Sequence, residues 1–199
     1  MKAIKHFIFV IILSTSNIYA TNNDFYNLKK YVMELITESY EIVNNKELSE
    51  DQKEYQAKIL LIKNLDTNWM SQNVLGKHRR SLTKNKINQF KKIYSKFVIN
   101  SYASLINKYN GETAHLTNVR KINNNMFIVK MTIENPHNKT HMGIDYMVRK
   151  NLDNNTYKVA DIITEGISIL NSQQSEFNSV INKHGIDALI KDLQSKITS

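Results

Sequence analysis

Asp161 and Glu165 stand four residues apart in YKVADIITEGISILNSQQSEF, residues 157–177. Two carboxylates that close are the residue types that acid–base work on a scissile bond requires. No nucleophile motif or metal-ligand set accompanies them. The alternative use of such residues is to cap the helix that follows a strand. His137 and His141 are also four apart, but they lie in a Pro/Asn turn rather than on a helix face, so the spacing does not suit metal ligation. The chain has no G-x-S-x-G elbow, no phosphate-binding loop and no dinucleotide fingerprint, and its five glycines are scattered singly. With no cysteine there is no thiol nucleophile, no Cys₄ zinc site and no acceptor for a lipoprotein anchor. The residue types carry none of the common catalytic constellations, and Asp161 and Glu165 remain either an acid–base pair or caps.

The elements that would position these residues change character along the chain. Residues 24–43 carry Phe25, Leu28, Val32, Leu35, Ile36 and Val43 near helical spacing, with Asp24 as an expected cap. Ser49 with Gln52 three residues on forms a capping-box pattern and opens a second helix. A linking segment around Trp69 leads to SQNVLGKHRRSL, a short helix interrupted near Gly76. Thr83 caps the longest helix, expected from Lys84 to about Asn110, roughly 40 Å at 1.5 Å per residue. Beyond Gly111 the period shifts to two: a weaker strand at 113–119, then MFIVKMTIEN, MGIDYMVRK and YKVADI, joined by turn-forming asparagines. Two helices, roughly 172–183 and 187–196 and separated at Gly185, close the chain. Helices, then a one-sided antiparallel meander, then helices make an α+β domain.

The first twenty residues have the layout of an export signal. Lys2 and Lys5 precede a seven-residue apolar run, Phe7 to Leu13, and a polar exit ending in Ala20. A run that short cannot span a bilayer. The expected organisation is therefore a signal peptide at 1–20 and one domain at 21–199, cleaved near Ala20 and exported. The 27 lysines and arginines against 18 acidic residues give +9, or +7 without Lys2 and Lys5. For an exported protein that balance fits anionic membrane surfaces or acidic protein partners better than nucleic acid. KHRRSLTKNK, residues 77–86, concentrates it: Lys77, Arg79, Arg80, Lys84 and Lys86 form a candidate docking run, or a solvated turn. Phe90, Tyr94 and Phe97 on the long helix would face Phe127, Tyr146 and Tyr157 on the strands. Periodicity alone does not separate a packed core from a ligand cavity there.

DIITEGISILNSQQSEF followed by HGIDALIKDL resembles the end of the MlaC family of periplasmic phospholipid-binding proteins, also called the toluene-tolerance family. VLGKHRRSLTKNKINQFKKIYSKFVINSYASLINKYNGE is similar to that family's central stretch, and IDYMVRK to its third strand. The likeness runs in order from about residue 24 to 195. It departs at His78 and Arg79, where aromatics are usual, and at Lys84 and Lys86, where Pro and Gln are. The resemblance implies a curved four-stranded sheet wrapped by about six helices, a nuclear-transport-factor-like cone with an apolar pocket. It implies a monomeric, non-enzymatic shuttle between an outer-membrane lipoprotein–porin complex and an inner-membrane ABC transporter complex, maintaining outer-membrane lipid asymmetry. No cofactor or metal is implied; the ligand is phospholipid. Phe127, Val129, Met131, Ile144, Tyr146, Val148 and Val159 would line the tail pocket from the sheet, with Phe90, Phe97 and Leu105 facing them. Asp161 and Glu165 would be structural. The competing expectations are an exported lipid-modifying hydrolase using Asp161 and Glu165, and a scaffold domain with a solid core.

Overall fold

The computed structural model describes residues 16–198. The expected export signal falls outside the described residues as far as residue 15, so the fold does not bear on it. Five α-helices accompany one antiparallel sheet: α1 Ser16–Val43, α2 Glu50–Asn64, α3 Thr67–Val74, α4 Lys84–Ala103 and α5 Ile169–Thr198. The strands are β1 Thr113–Asn123, β2 Met126–Glu134, β3 His141–Lys150, β4 Tyr157–Thr164 and β5 Ile167–Ser168. They pair strictly in chain order. No helix among the described residues is long and apolar enough to cross a membrane.

Local chemistry explains most element boundaries. The Ser49 hydroxyl accepts from the Gln52 N–H at 3.3 Å while the Gln52 side chain accepts from the Ser49 N–H at 2.9 Å, the reciprocal capping box. Thr83 accepts from the Lys86 N–H and starts α4. Gly185 leaves helical geometry (φ 80°, ψ 169°) and bends α5, as its position predicted. Gly76 sits at φ 50°, where the backbone favours glycine, and a Cβ there would come within 3.1 Å of the Gln174 side-chain nitrogen, which would have to shift by a few tenths of an ångström.

Five features differ from the sequence expectation. α1 begins upstream of Asp24, whose carboxylate pairs with Lys150 and Lys121 of the sheet instead of capping a helix. The segment around Trp69 is helix α3, capped by Asp66 at 3.0 Å; eight residues are too few for a periodic signal. The long helix tightens into a 3₁₀ segment, Ser104–Lys108, before Gly111. β1 is eleven residues rather than seven, because a bulge between Leu116 and Asn118 breaks its alternation, and β5 adds a fifth strand of two residues.

Register arranges the inward side chains in rows across the sheet. Lys121, Phe127, Val148 and Val159 form one row, then Val119, Val129, Tyr146 and Ile162, then Leu116, Met131, Ile144 and Thr164, and last Ala114, Ile133 and Met142. The Phe127 end lies beneath the helices. There Phe127 meets Phe25 and Tyr157 edge-on at 6.3 Å each. On the helix side Phe90 stacks on Tyr94 at 5.6 Å, both meet Phe177 of α5 edge-on, and the Tyr94 hydroxyl donates to Gln173 at 2.7 Å. Burying each such ring contributes on the order of 2–3 kcal/mol, so this end is a dense core.

Candidate functional site

The Ala114–Ile133–Met142 end of the sheet is not filled. A cavity of about 430 Å³ opens there between α1, the sheet and the 3₁₀ segment. That is within the range of small-molecule pockets. From α1 come Val32, Leu35, Ile36, Ser39 and Tyr40, spaced by three and four so that one helix face meets the space. Leu105 and Lys108 of the 3₁₀ segment and Tyr109 just after it close the space, and Ala114, Ile133, Met142, Ile144 and Tyr146 form the sheet wall. Leu105 is 51% and Met142 42% exposed, so the rim presents apolar side chains to solvent.

Polar groups are few and mostly satisfied. The Tyr40 hydroxyl accepts the Ala114 N–H, tying α1 to the free edge of β1. Glu112 at the mouth accepts from the Asn110 N–H at 2.7 Å and the Asn135 side chain at 3.2 Å. Those bonds, the Asn110 N–H first, hold its carboxyl below the usual range, with nearby His137 adding. Burial pushes the Tyr146 phenol up, and Tyr40 adds to the shift. Lys108 is the one cation on the wall among the described residues. No group of three or more His, Cys, Asp or Glu able to hold a metal occurs among the described residues. The site can bury an apolar chain and leave a polar end at the rim.

Of the ten residues singled out from the sequence, Leu105, Ile144 and Tyr146 are on this wall. Phe90, Phe127, Val129, Met131, Val148 and Val159 belong to the buried cluster, and Phe97 packs against it. The α1 face, Tyr109, Ile133 and Met142 were not singled out. Ile133 and Met142 continue the same alternation by one more step, a signal that was available. The α1 face had only amphipathic spacing, which does not name what a helix packs on.

Neither carboxylate of the acidic joint is among the residues that line the cavity. Asp161 is 4% exposed and accepts from the N–H groups of Ile162 (2.8 Å) and Leu170 (3.0 Å) and from the Ser168 hydroxyl. Ser168 in turn accepts the Asn171 N–H, so the pair caps α5. Glu165, at φ 50°, accepts the Gly143 N–H at 3.0 Å and clips the turn to β3. In the basic run, Lys86 pairs with Asp187 and Arg79 donates to Gln72. Lys84 begins α4 and Leu105 follows its end, so about 30 Å of helix separates the run from the cavity.

With this geometry in view, comparison decides the lineage. The model of the family described as MlaC protein matches residues 33–195, most of the chain. The chain belongs to the MlaC family. It is 24% identical over 122 residues to the intermembrane phospholipid transport system binding protein MlaC of Haemophilus influenzae. That match takes in 61% of this chain and 57% of the relative, so the chain spans little more than half of that protein. The fold is similar to a solved phospholipid-binding protein from Ralstonia solanacearum in complex with a phospholipid. There the TM-score is 0.70 at 20% identity, covering 87% of this chain and 96% of the other. The MlaC match spans everything that builds the cavity except the start of α1: Leu35 to Tyr40, the 3₁₀ segment and the sheet wall all fall within it.

Proposed function

We propose that this protein is an exported, monomeric and non-catalytic phospholipid carrier of the periplasm. In this reading it moves lipid between an outer-membrane lipoprotein–porin complex and an inner-membrane ABC transporter complex. The observation that carries the reading is the open apolar cavity at one end of an otherwise dense core. Its relatives' names, which speak of phospholipid binding and intermembrane transport, support the ligand class. Two tails of about 16 carbons present roughly 30 methylenes, a gross burial term near 25 kcal/mol at ~0.8 kcal/mol each. A bilayer offers the tails nearly the same term, so loading and unloading are close to balanced. Direction is then supplied by the partners, with no chemical step in the carrier. The hydrolase alternative draws no support from Asp161, whose oxygens are engaged in capping.

Solvent extraction of the purified protein with mass spectrometry tests the reading. About one phospholipid per chain is expected. A chain that carries none, and takes none up from vesicles, would be a solid-core scaffold.

The basic run gives a separable prediction. Arg80→Glu with Lys84→Glu should slow lipid transfer several-fold at low salt while the lipid content stays constant, because these residues begin about 30 Å from the cavity. The difference should fade as salt rises, since exposed charges are screened over about 8 Å at physiological ionic strength. Transfer rates indifferent to both changes would make the run a solvated turn.

A further inference from the structure

A second face of α1 forms a groove with α2. Glu38, Glu41 and Ile42 of α1 line it together with Leu48, Ile59 and Leu60, around a space of about 430 Å³. These α1 positions interleave with Leu35, Ile36, Ser39 and Tyr40 of the cavity wall, so groove and cavity lie on different faces of one helix. Along α2, Tyr55, Ile59 and Ile62 are 64%, 46% and 59% exposed. Their spacing of four and three puts them on one side of the helix over about 10 Å. Ile59 belongs to both the stripe and the groove. Single exposed apolar side chains are ordinary on a protein surface; a contiguous stripe beside an apolar groove marks an interaction site.

An independent observation is the charge around this face, which runs against the rest of the chain. Residues 34–54 carry seven of the 18 carboxylates and only two lysines, in a sequence of net charge +9. Glu34, Glu38 and Glu54 are paired with Lys30, Lys63 and Lys58. Of the two lysines, Lys53 donates to the Val43 carbonyl at the end of α1. Glu41, Glu47, Glu50 and Asp51 are exposed and have no ion-pair partner among the described residues. Glu50 and Asp51 complement the N-terminus of α2. Glu41 and Glu47 have no such local role.

We propose that the α1–α2 groove docks a basic amphipathic helix of another protein. The apolar side chains of that helix, three and four apart, lie along Tyr55, Ile59 and Ile62 and enter the groove, while its flanking lysines or arginines meet Glu41 and Glu47. The same carboxylates repel an anionic leaflet, so the occupant is a protein rather than a membrane. A second copy of this chain could offer its basic run, but residues 77–86 hold no exposed large apolar side chain to meet the stripe. The assignment stands apart from the carrier reading: a chain that bound no lipid would present the same face.

The test titrates the purified protein with a fluorescent amphipathic helix of leucine and lysine, and with the same helix built from leucine and glutamate. Wild type should bind the lysine helix and not the glutamate one. Ile59→Ser with Ile62→Ser should weaken binding at least tenfold, the effect of removing two buried aliphatic anchors. Glu41→Lys with Glu47→Lys should weaken it about tenfold at low salt, and less as salt rises. Tyr26→Ser, an equally exposed apolar position of α1 outside the groove, should change nothing. All these positions are exposed, so thermal melts should be unchanged. Binding indifferent to both double variants, or equal binding of the two helices, would overturn the proposal. So would concentration-dependent dimers lost in Ile59→Ser with Ile62→Ser, which would make the face a self-interface. Sedimentation with phosphatidylglycerol vesicles that the same double variant abolishes would make it a membrane contact and overturn it too.

Discussion

Ile144→Lys should yield a folded protein with at least tenfold less bound lipid, whereas Val129→Lys should not fold. Both residues point inward, one row apart on neighbouring strands: Val129 pairs with Tyr146, and Ile144 with Met131. Their surroundings differ. Val129 is fully buried in the cluster, so an ammonium there would be stripped of water with no partner. Such a change costs more than about 4 kcal/mol, comparable to the stability of a whole domain. Ile144 is on the cavity wall, where a lysine stem can run along the apolar surface and lift its charge toward the opening. Folding should lose only about 1 kcal/mol, because no packed side chain is displaced. A lipid tail, however, would have to share the space with the charge. Thermal melts beside lipid counts distinguish the two. Equal losses of folding and lipid at Ile144 would make the cavity an ordinary part of the core.

Asp161→Ala should be the most damaging change at the acidic joint. It would leave the Ile162 and Leu170 N–H groups and the Ser168 hydroxyl without their acceptor, in a place almost closed to water. At roughly 1–3 kcal/mol for each buried group left unpaired, the loss should be about 3–5 kcal/mol. In a domain of this size that lowers Tm by roughly 10 °C. Glu165→Ala removes one exposed bond to Gly143 and should cost no more than about 1 kcal/mol. Lipid per folded molecule should stay constant in both variants. The hydrolase reading differs in one forecast: amides at both positions would abolish a turnover activity while fold and lipid content survive.

Much of the frame was set by sequence because its determinants are local. The Ser49–Gln52 box, the Thr83 cap and the break at Gly185 each depend on a few neighbouring residues, and each is where the pattern puts it. Period-two alternation told which strand residues face inward, since the pleat leaves only two sides. It could not tell depth along the strand. Phe127 and Ile133 occupy the same side of β2 three steps of alternation apart, yet one is in the dense core and the other on the cavity wall. That difference depends on where α1, the 3₁₀ segment and the free end of the sheet lie relative to one another, and these come together from residues 32–40, 105–109, 112–114 and 133–146. A helix face spaced by three and four announces only that it will be covered. Whether side chains or empty space covers it is a matter of long-range packing, so the α1 wall of the cavity exists only in the tertiary structure.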